Sequence, residues 1–403
     1  MKGILSFTTV FPSPSAPQSG SFVRSRLEAV GRIEKVRVMA PVARWDYRRR
    51  VSTAAAPASR LEGSLEVYRP RWAHLPGGGA LNGFLLFLQC LPCAMRIGRE
   101  NFDVIDAHFG HPEAFAAALL ALACRRPFVV TLRGSEMVHS RYPLRRFLMG
   151  WALRRAARVI AVSGELRQLA LDLGVDRLRT AKVPNGVDAA VFYPRDRTAA
   201  RTRLGIAAGA KAILTAGNLV WEKGHHRAIE AVASLRERGI SAELFIAGAP
   251  GREGGERYAA GLRALAAERG LAERVHFLGV VKAAALAEYM CACDVLCLAS
   301  HREGWPNVVH ESLACGTPVV STDVGAVRDL IPSAAYGAVV PRDDQAALEE
   351  ALAGALAARW DPAAVAARAG ARTWDRVARE VLVELENAAA GRLAAQSLSC
   401  DAS

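Results

Sequence analysis

Between Asp294 and Val320 the chain reads DVLCLASHREGWPNVVHESLACGTPVV, and few architectures accommodate that order of residues. Val295 to Ala299 is a short apolar run that fits a buried parallel strand. A polar loop follows from Ser300 to Trp305, and Pro306 suits the first position of a helix, where its missing N–H costs nothing. The helix is predicted over about Asn307 to Ala314 and stops at Cys315-Gly316, before a second strand at Val319-Val320. This is strand, helix, strand, the unit of an α/β sheet. It places Glu303 on the loop at a strand's carboxyl end and Glu311 about one turn inside the helix, where open α/β sheets bind ligands. Amides at a helix start hold phosphate and carboxylates accept from hydroxyls, so the crevice suits a sugar nucleotide. Taken alone, two glutamates at this spacing are a common coincidence.

The rest of the chain repeats the rhythm. Strands are predicted at Gly3 to Val10, Val36 to Ala40, Val104 to Ala107, Phe128 to Leu132 and Val159 to Ser163. Helices lie between them at Phe22 to Gly31, Leu81 to Gly98, Ala114 to Cys124 and Tyr142 to Arg158. Arg44 to Ser59 reads as loop, and Gly77 to Gly79 as a break before the helix at Leu81. The turn-rich stretch Lys182 to Asp188 divides the chain, and the pattern restarts with strands at Ala212, Glu243 and Val275. Gly248 to Gly255 has the wrong spacing for a dinucleotide fingerprint. A loop at Asp323 to Gly325 and helices from Gln345 onward complete it.

With 403 residues, 51% hydrophobic and 23% charged, the chain can build two globular domains. Its charge is one-sided: residues 1–190 hold 28 Lys and Arg against 14 Asp and Glu, whereas the whole chain nets +13. Either that half meets an acidic partner, such as anionic lipid or a diphosphate-linked acceptor, or the arginines simply solvate it. The helix at Tyr142 to Arg158 sets Arg145, Arg146, Arg154 and Arg155 beside Phe147, Leu148 and Trp151. That composition suits an interfacial membrane helix and equally a solvated face over a core stripe. The start Met1 to Phe7 reads as a strand rather than a signal peptide, and no 18-residue apolar stretch occurs. Cys90-Leu-Pro-Cys93, Cys291, Cys293 and Cys297 read as core residues. His108 and His111 invite a metal reading, but no carboxylate or third ligand is placed to join them. Nucleic-acid binding lacks the interleaved aromatics it needs. A cytoplasmic protein is expected, with a peripheral seat at the inner face of the cell membrane.

Several separated words now agree: FPSP with SGSFVR, Ala107-His108-Phe109, VTLRGSE, VPNGVD, EKG, and the long stretch with Gly304 and Pro306 between its glutamates. In this order they resemble glycosyltransferase family 4, retaining nucleotide-sugar enzymes of the kind used in polysaccharide, teichuronic acid and exopolysaccharide biosynthesis. The resemblance runs from Met1 to the helix around Trp374 and is specific from Thr215 to Ile331. It implies an α/β chain of GT-B fold, two Rossmann-like domains with a cleft between them. Residues 1–188 would bind acceptor and 189–374 donor, with a helix at about 375–403 crossing back to the first.

The resemblance also implies roles. Lys223 pairs with the donor diphosphate, Glu311 takes the ribose hydroxyls and Glu303 steadies the donor sugar or its cationic transition state. The main chain of Gly304, Trp305, Pro306, Asn307 and Val308 lines sugar and phosphate, Ser19-Gly20 closes on the phosphates, and Val280 lies where backbone meets the base. His108, Arg133 and Glu136 are candidates on the acceptor side. The family's pattern fails at Asn218, where an arginine often joins the lysine; Arg133 stands where histidine is common and Glu136 where aspartate is usual. Arg133 is a candidate to restore the phosphate charge. No metal or other cofactor is expected, because Lys223 and helix-start amides would absorb the charge of the leaving group. The expected reaction moves sugar to a lipid-linked or polysaccharide acceptor in cell-surface glycan biosynthesis. A nucleotide-sugar 2-epimerase and a non-catalytic sugar-nucleotide-binding partner protein remain the alternatives.

Overall fold

A computed structural model describes residues 1–13, 16, 19–46, 51–52, 59–75, 78–251 and 254–400. The chain divides into two compact units, Met1–Gly186 with Trp374–Ser403, and Val187–Thr373.

The first unit is built on eight strands: β1 (Ile4–Phe7), β2 (Val36–Met39), β3 (Ser59–Glu62), β4 (Leu65–Tyr68), β5 (Val104–His108), β6 (Phe128–Leu132), β7 (Arg158–Ala161) and β8 (Thr180–Lys182). Their order across the sheet is β8-β7-β6-β5-β1-β2-β4-β3, parallel throughout except the edge hairpin β3–β4. β1, β2, β5 and β6 are buried at every residue, which is why they read as mainly apolar runs without the alternation of a half-exposed strand, interrupted by the buried polar residues Ser6, Arg37, Asp106, His108 and Thr131. One helical layer is α1 (Ser21–Gly31). The other holds α2 (Leu81–Ile97), α3 (Glu113–Cys124) and α4 (Pro143–Arg155), with α3 packed between its neighbours.

In the second unit six parallel strands, β9 (Lys211–Ala216), β10 (Ala242–Ala247), β11 (Val275–Gly279), β12 (Val295–Leu298), β13 (Val319–Thr322) and β14 (Gly337–Val340), lie in the order β11-β10-β9-β12-β13-β14. Helices α5 (His225–Glu237), α6 (Gly255–Glu268), α7 (Asn307–Ala314) and α8 (Gln345–Ala357) cover it. Ile229, Val232, Leu244, Ile246, Leu262, Val295, Val320, Leu348 and Leu352 form its core. In both units the strand order reverses beside the first strand, between β1 and β5 and between β9 and β12. Connections leaving those strands in opposite directions open a crevice at their carboxyl ends.

The helix α9 (Trp374–Cys400) follows the second unit in the chain but packs on α1, placing Val377, Val381 and Leu385 against Val23 and Leu27. Several expectations need correction. The helix expected over Tyr142 to Arg158 ends at Arg155, because Arg158 already pairs in β7 with Val129. The Arg44 to Ser59 region contains strand pieces at Trp45–Asp46 and Val51–Ser52, while 47–50 and 53–58 lie outside the described residues. Pro306 is the residue before α7 and not its first. Gly77 also lies outside the described residues.

Candidate functional site

Two loops meet at the β9/β12 reversal. The first runs from Gly217 to Gly224, the second from Ser300 to Pro306. Lys223 Nζ lies 2.6 Å from Glu303 Oε1, and the buried Ser300 hydroxyl donates to the same oxygen at 2.8 Å. The Lys223 stem lies over Gly217, where an added Cβ would stand 3.5 Å from Cδ. Gly224 turns at φ +68 with its Cα against the Ala299 carbonyl, so close that a Cβ would lie 2.0 Å from that oxygen. Only glycine permits both the turn and the approach. An ammonium has three donors, so Lys223 can hold Glu303 and still present N–H groups to a second anion.

The two loops are stitched on their other side. His301 N–H donates to the Glu222 carbonyl at 2.8 Å, and the rings of Trp221 and His301 stack at 4.0 Å, 7° from parallel. Trp221 and His301 each precede a charged partner by two positions, so the stack and the ion pair share the same two turns. Sequence reasoning missed both residues, since nothing in either loop alone signals that they meet. Gly325 lies beneath the main chain of Glu303 and Gly304, where its Cβ would come within 2.6 Å of the Glu303 carbonyl.

Glu311, on α7, stands apart from this pair. Its half-buried carboxyl has no hydrogen-bonding or ionic partner among the described residues, and burial pushes it up to about 7. Trp305 is buried with its indole N–H unpartnered, its ring edge-on to His310. The first amides of α7 precede its own hydrogen-bond ladder, and that of Val308 has no acceptor among the described residues. Burial also makes pH a probe of Glu311: a raised carboxyl favours the protonated form, whereas hydroxyl donors favour the ionised one. Affinity for any ligand that donates hydroxyls to this carboxyl should therefore rise as pH increases through about 7 in the wild type. Calorimetric titration on either side of neutrality checks this, with Glu311→Gln expected to flatten the dependence.

Other candidates fall elsewhere. Asn218 is exposed, its carbonyl 3.2 Å from His225 Nε2. Val280 is exposed just beyond β11. A cavity of about 390 Å3 between α5 and α6, bordered by His226, Tyr258 and Leu262, contains none of the candidate residues. In the first unit Gly20 caps α1 at φ +73, packed so tightly on Val10 that a Cβ would lie 2.3 Å from its carbonyl oxygen. Ser19 beside it is half-buried.

The structure brings His108, Arg133 and Glu136 together at the carboxyl ends of β5 and β6. Arg133 donates from Nε and a terminal nitrogen to His108 Nδ1 at 3.2 and 3.0 Å, and from its other terminal nitrogen to Asn185 at 3.1 Å. The Glu136 carboxylate accepts from the amides of Gly110, Arg133 and Gly134, and burial still raises it above the usual range. Burial lowers His108 to about 4, so it is neutral at pH 7; accepting at Nδ1, it carries its proton on Nε2, which faces Ser6 and Asp106. Asp106 and Arg26 form a buried pair in which one guanidinium nitrogen, Nη2, donates to both carboxylate oxygens at 2.9 Å. Burial alone would raise the Asp106 carboxyl, but Arg26 and His108 hold it at about 2. These three candidates are thus engaged with their own unit.

Among the described residues no cluster of three or more His, Cys, Asp or Glu is arranged to hold a metal ion. No helix among them is long and apolar enough to cross a membrane.

With the geometry in place, comparison with known proteins is specific. Residues 196–373 match the family described as glycosyl transferases group 1, and residues 35–191 match glycosyltransferase family 4. The chain is 39% identical over 251 residues to a D-inositol 3-phosphate glycosyltransferase of Geodermatophilus obscurus, covering 60% of this chain and 55% of that relative. The chain thus spans about half the length of that relative. A putative teichuronic acid biosynthesis glycosyltransferase of Bacillus subtilis is 27% identical, covering 86% of this chain and 87% of its own. Among solved structures, Anabaena HepE in complex with UDP and glucose aligns with TM-score 0.74 at 19% identity, covering 95% of this chain and 99% of its own. Sucrose-phosphate synthase of Thermosynechococcus elongatus aligns with TM-score 0.73 at 20% identity, covering 99% of this chain and all of its own. At such identities the two structures speak to the GT-B fold alone.

Proposed function

The chain belongs to glycosyltransferase family 4, and from that premise we propose that it moves a sugar from a nucleoside diphosphate sugar to a lipid-linked or polysaccharide acceptor, with retention at the anomeric carbon. The observation that carries this reading is the Lys223–Glu303 pair at the β9/β12 reversal, with the unpartnered Glu311 carboxyl on the helix that follows. The pair suits the junction of sugar and phosphate. Lys223 meets the charge that grows on the departing diphosphate, while Glu303 accepts from sugar hydroxyls and faces the positive character left on the ring. Glu311 accepts from the ribose. The acceptor oxygen bonds to the anomeric carbon on the face from which the diphosphate leaves, and the departing phosphate takes the acceptor's proton, so no side chain acts as nucleophile or base. A cation already in place supplies the charge a metal would bring, and chelator should leave the rate unchanged. Thermal-shift measurements with UDP, GDP and ADP sugars, followed by incubation of the best donor with and without glycolipid acceptors, test the reading. Conversion of the donor to an epimer without acceptor would overturn it.

The siting proposed is peripheral, at an anionic membrane face. The first unit carries the whole net charge of +13 and the second is neutral. Around α2 and α4 it exposes Leu81, Phe84, Leu88, Tyr142, Leu144 and Phe147, with the half-buried Arg145 and Arg146 between them in the chain. Apolar side chains beside arginines are what an anionic interface attracts. Sedimentation with phosphatidylglycerol vesicles should pull the protein down, and Leu144→Glu with Phe147→Glu should release most of it.

A further inference from the structure

The candidates on the acceptor side are saturated by their own unit, but beside them lies a group that is not. Thr9 follows β1 by two residues and Glu113 opens α3 just after β5, so they stand on either side of the β1/β5 reversal. The Thr9 hydroxyl donates to Glu113 Oε1, bridging that reversal as Lys223 and Glu303 bridge the one in the second unit. Glu113 is 2% exposed, and its Oε2 has no hydrogen-bond partner among the described residues. His111, 3% exposed, has neither ring nitrogen in a well-formed hydrogen bond among the described residues, with the Ala80 backbone nearby, and its ring lies 5.4 Å from that of His139. Unpaired buried polar atoms each cost about 1–3 kcal/mol, and three of them on the one turn that leaves the carboxyl end of β5 mark a place that a ligand completes. The turn between β5 and α3 adds to this, since Phe109 holds φ +75, a left-handed conformation costly to a side chain of its size.

We propose that Thr9, His111 and Glu113 form a hydroxyl-binding subsite of the first unit, and that its ligand is an uncharged polyhydroxylated ring, the acceptor sugar of the reaction above, on which this identification rests. Glu113 Oε2 accepts from one hydroxyl. The His111 imidazole donates to one oxygen and accepts from another, which a ring bearing adjacent hydroxyls satisfies at once. Charges of both signs border the subsite, Glu136 beside Glu113 and Arg145 3.4 Å from His139, so neither sign of ligand charge is selected. Burial holds His111 near 4 and Glu113 up near 7, so the subsite itself is largely uncharged below neutrality. Thr9 and His139 are half-buried and give the approach.

Saturation-transfer difference NMR with methyl α-D-glucopyranoside and with myo-inositol as probes tests this. The wild type should give a signal, and Glu113→Gln, Thr9→Val and His111→Phe should each weaken binding about tenfold or more. Lys223→Ala should keep it. His111→Phe should melt no lower than wild type, since it removes two unpaired polar atoms; a fall in melting temperature would point to a structural role and overturn the assignment of His111. No wild-type signal, signals unchanged in all three variants, or a signal lost in Lys223→Ala instead would overturn the subsite. Nucleotide-sugar thermal shift is read in parallel: its presence with an unaltered polyol signal sinks the subsite alone, and its absence in the wild type sinks the transferase reading and with it the identity of the ligand.

Discussion

Lys223→Ala is expected to abolish most of the thermal stabilisation by nucleoside diphosphates and to slow transfer about a hundredfold or more. The lysine makes a charge-assisted contact worth roughly 1.5–3 kcal/mol, which is ten- to about a hundredfold in affinity. Its loss during the reaction costs more, because charge on the diphosphate grows as the glycosidic bond lengthens. The side chain is 29% exposed and Glu303 only 11%, so truncation also strands a largely buried carboxylate. The unliganded melting temperature of Lys223→Ala therefore has to be read beside that of the Lys223→Ala, Glu303→Gln double variant, which carries no stranded charge. Isothermal titration with the diphosphate checks the outcome. Undiminished affinity in a folded Lys223→Ala protein would remove the central assignment.

Asp106→Ala is the largest stability effect anticipated, a loss of about 3–5 kcal/mol. Asp106 and Arg26 are 1% and 2% exposed, and the carboxylate also faces His108. Removing it leaves a guanidinium deep in the first unit whose one remaining side-chain hydrogen bond among the described residues is to Thr131. Breaking such a pair costs far more than the pair itself contributes, since the remaining charge has no solvent. Urea unfolding should show a lowered midpoint with an unchanged slope. An Arg26→Met, Asp106→Leu double variant should recover most of the loss; failure to recover would mean that the network with His108 and Arg133, and not the stranded charge, sets the cost.

The parallel sheets were legible because strands buried on both faces must be apolar at consecutive positions, as in Val295 to Leu298. The edge hairpin β3–β4 was not, since Arg60, Glu62 and Glu66 give it the polarity of a loop. Strand β14, Gly-Ala-Val-Val, disappears into the small-residue composition of the helices after it. At the site, Lys223 and Glu303 announce themselves by lying in loops beyond strand ends, and Glu311 by its place on the helix that follows, all among distinctive neighbours. His111 was visible only as one of two histidines, and Thr9 and Glu113 not at all. A threonine in a loop and a glutamate at the start of an alanine-rich helix look ordinary until the chain folds to bring positions 104 apart into contact. Arg26 and Asp106 hide for the same reason, separated by 80 residues. Burial and pairing across a sheet are properties of topology, which no local pattern carries.

The packing of α9 on α1 has a consequence for how the protein is made. A ribosome ordinarily releases domains in sequence, each able to close its core as it emerges. Here Val23 and Leu27 must wait, uncovered, until the whole of the second unit has been synthesised and residues 374–391 arrive. The unit born first is finished last, so its exposed flank is a natural client surface for chaperones during translation, and a premature stop anywhere in the second unit leaves it open.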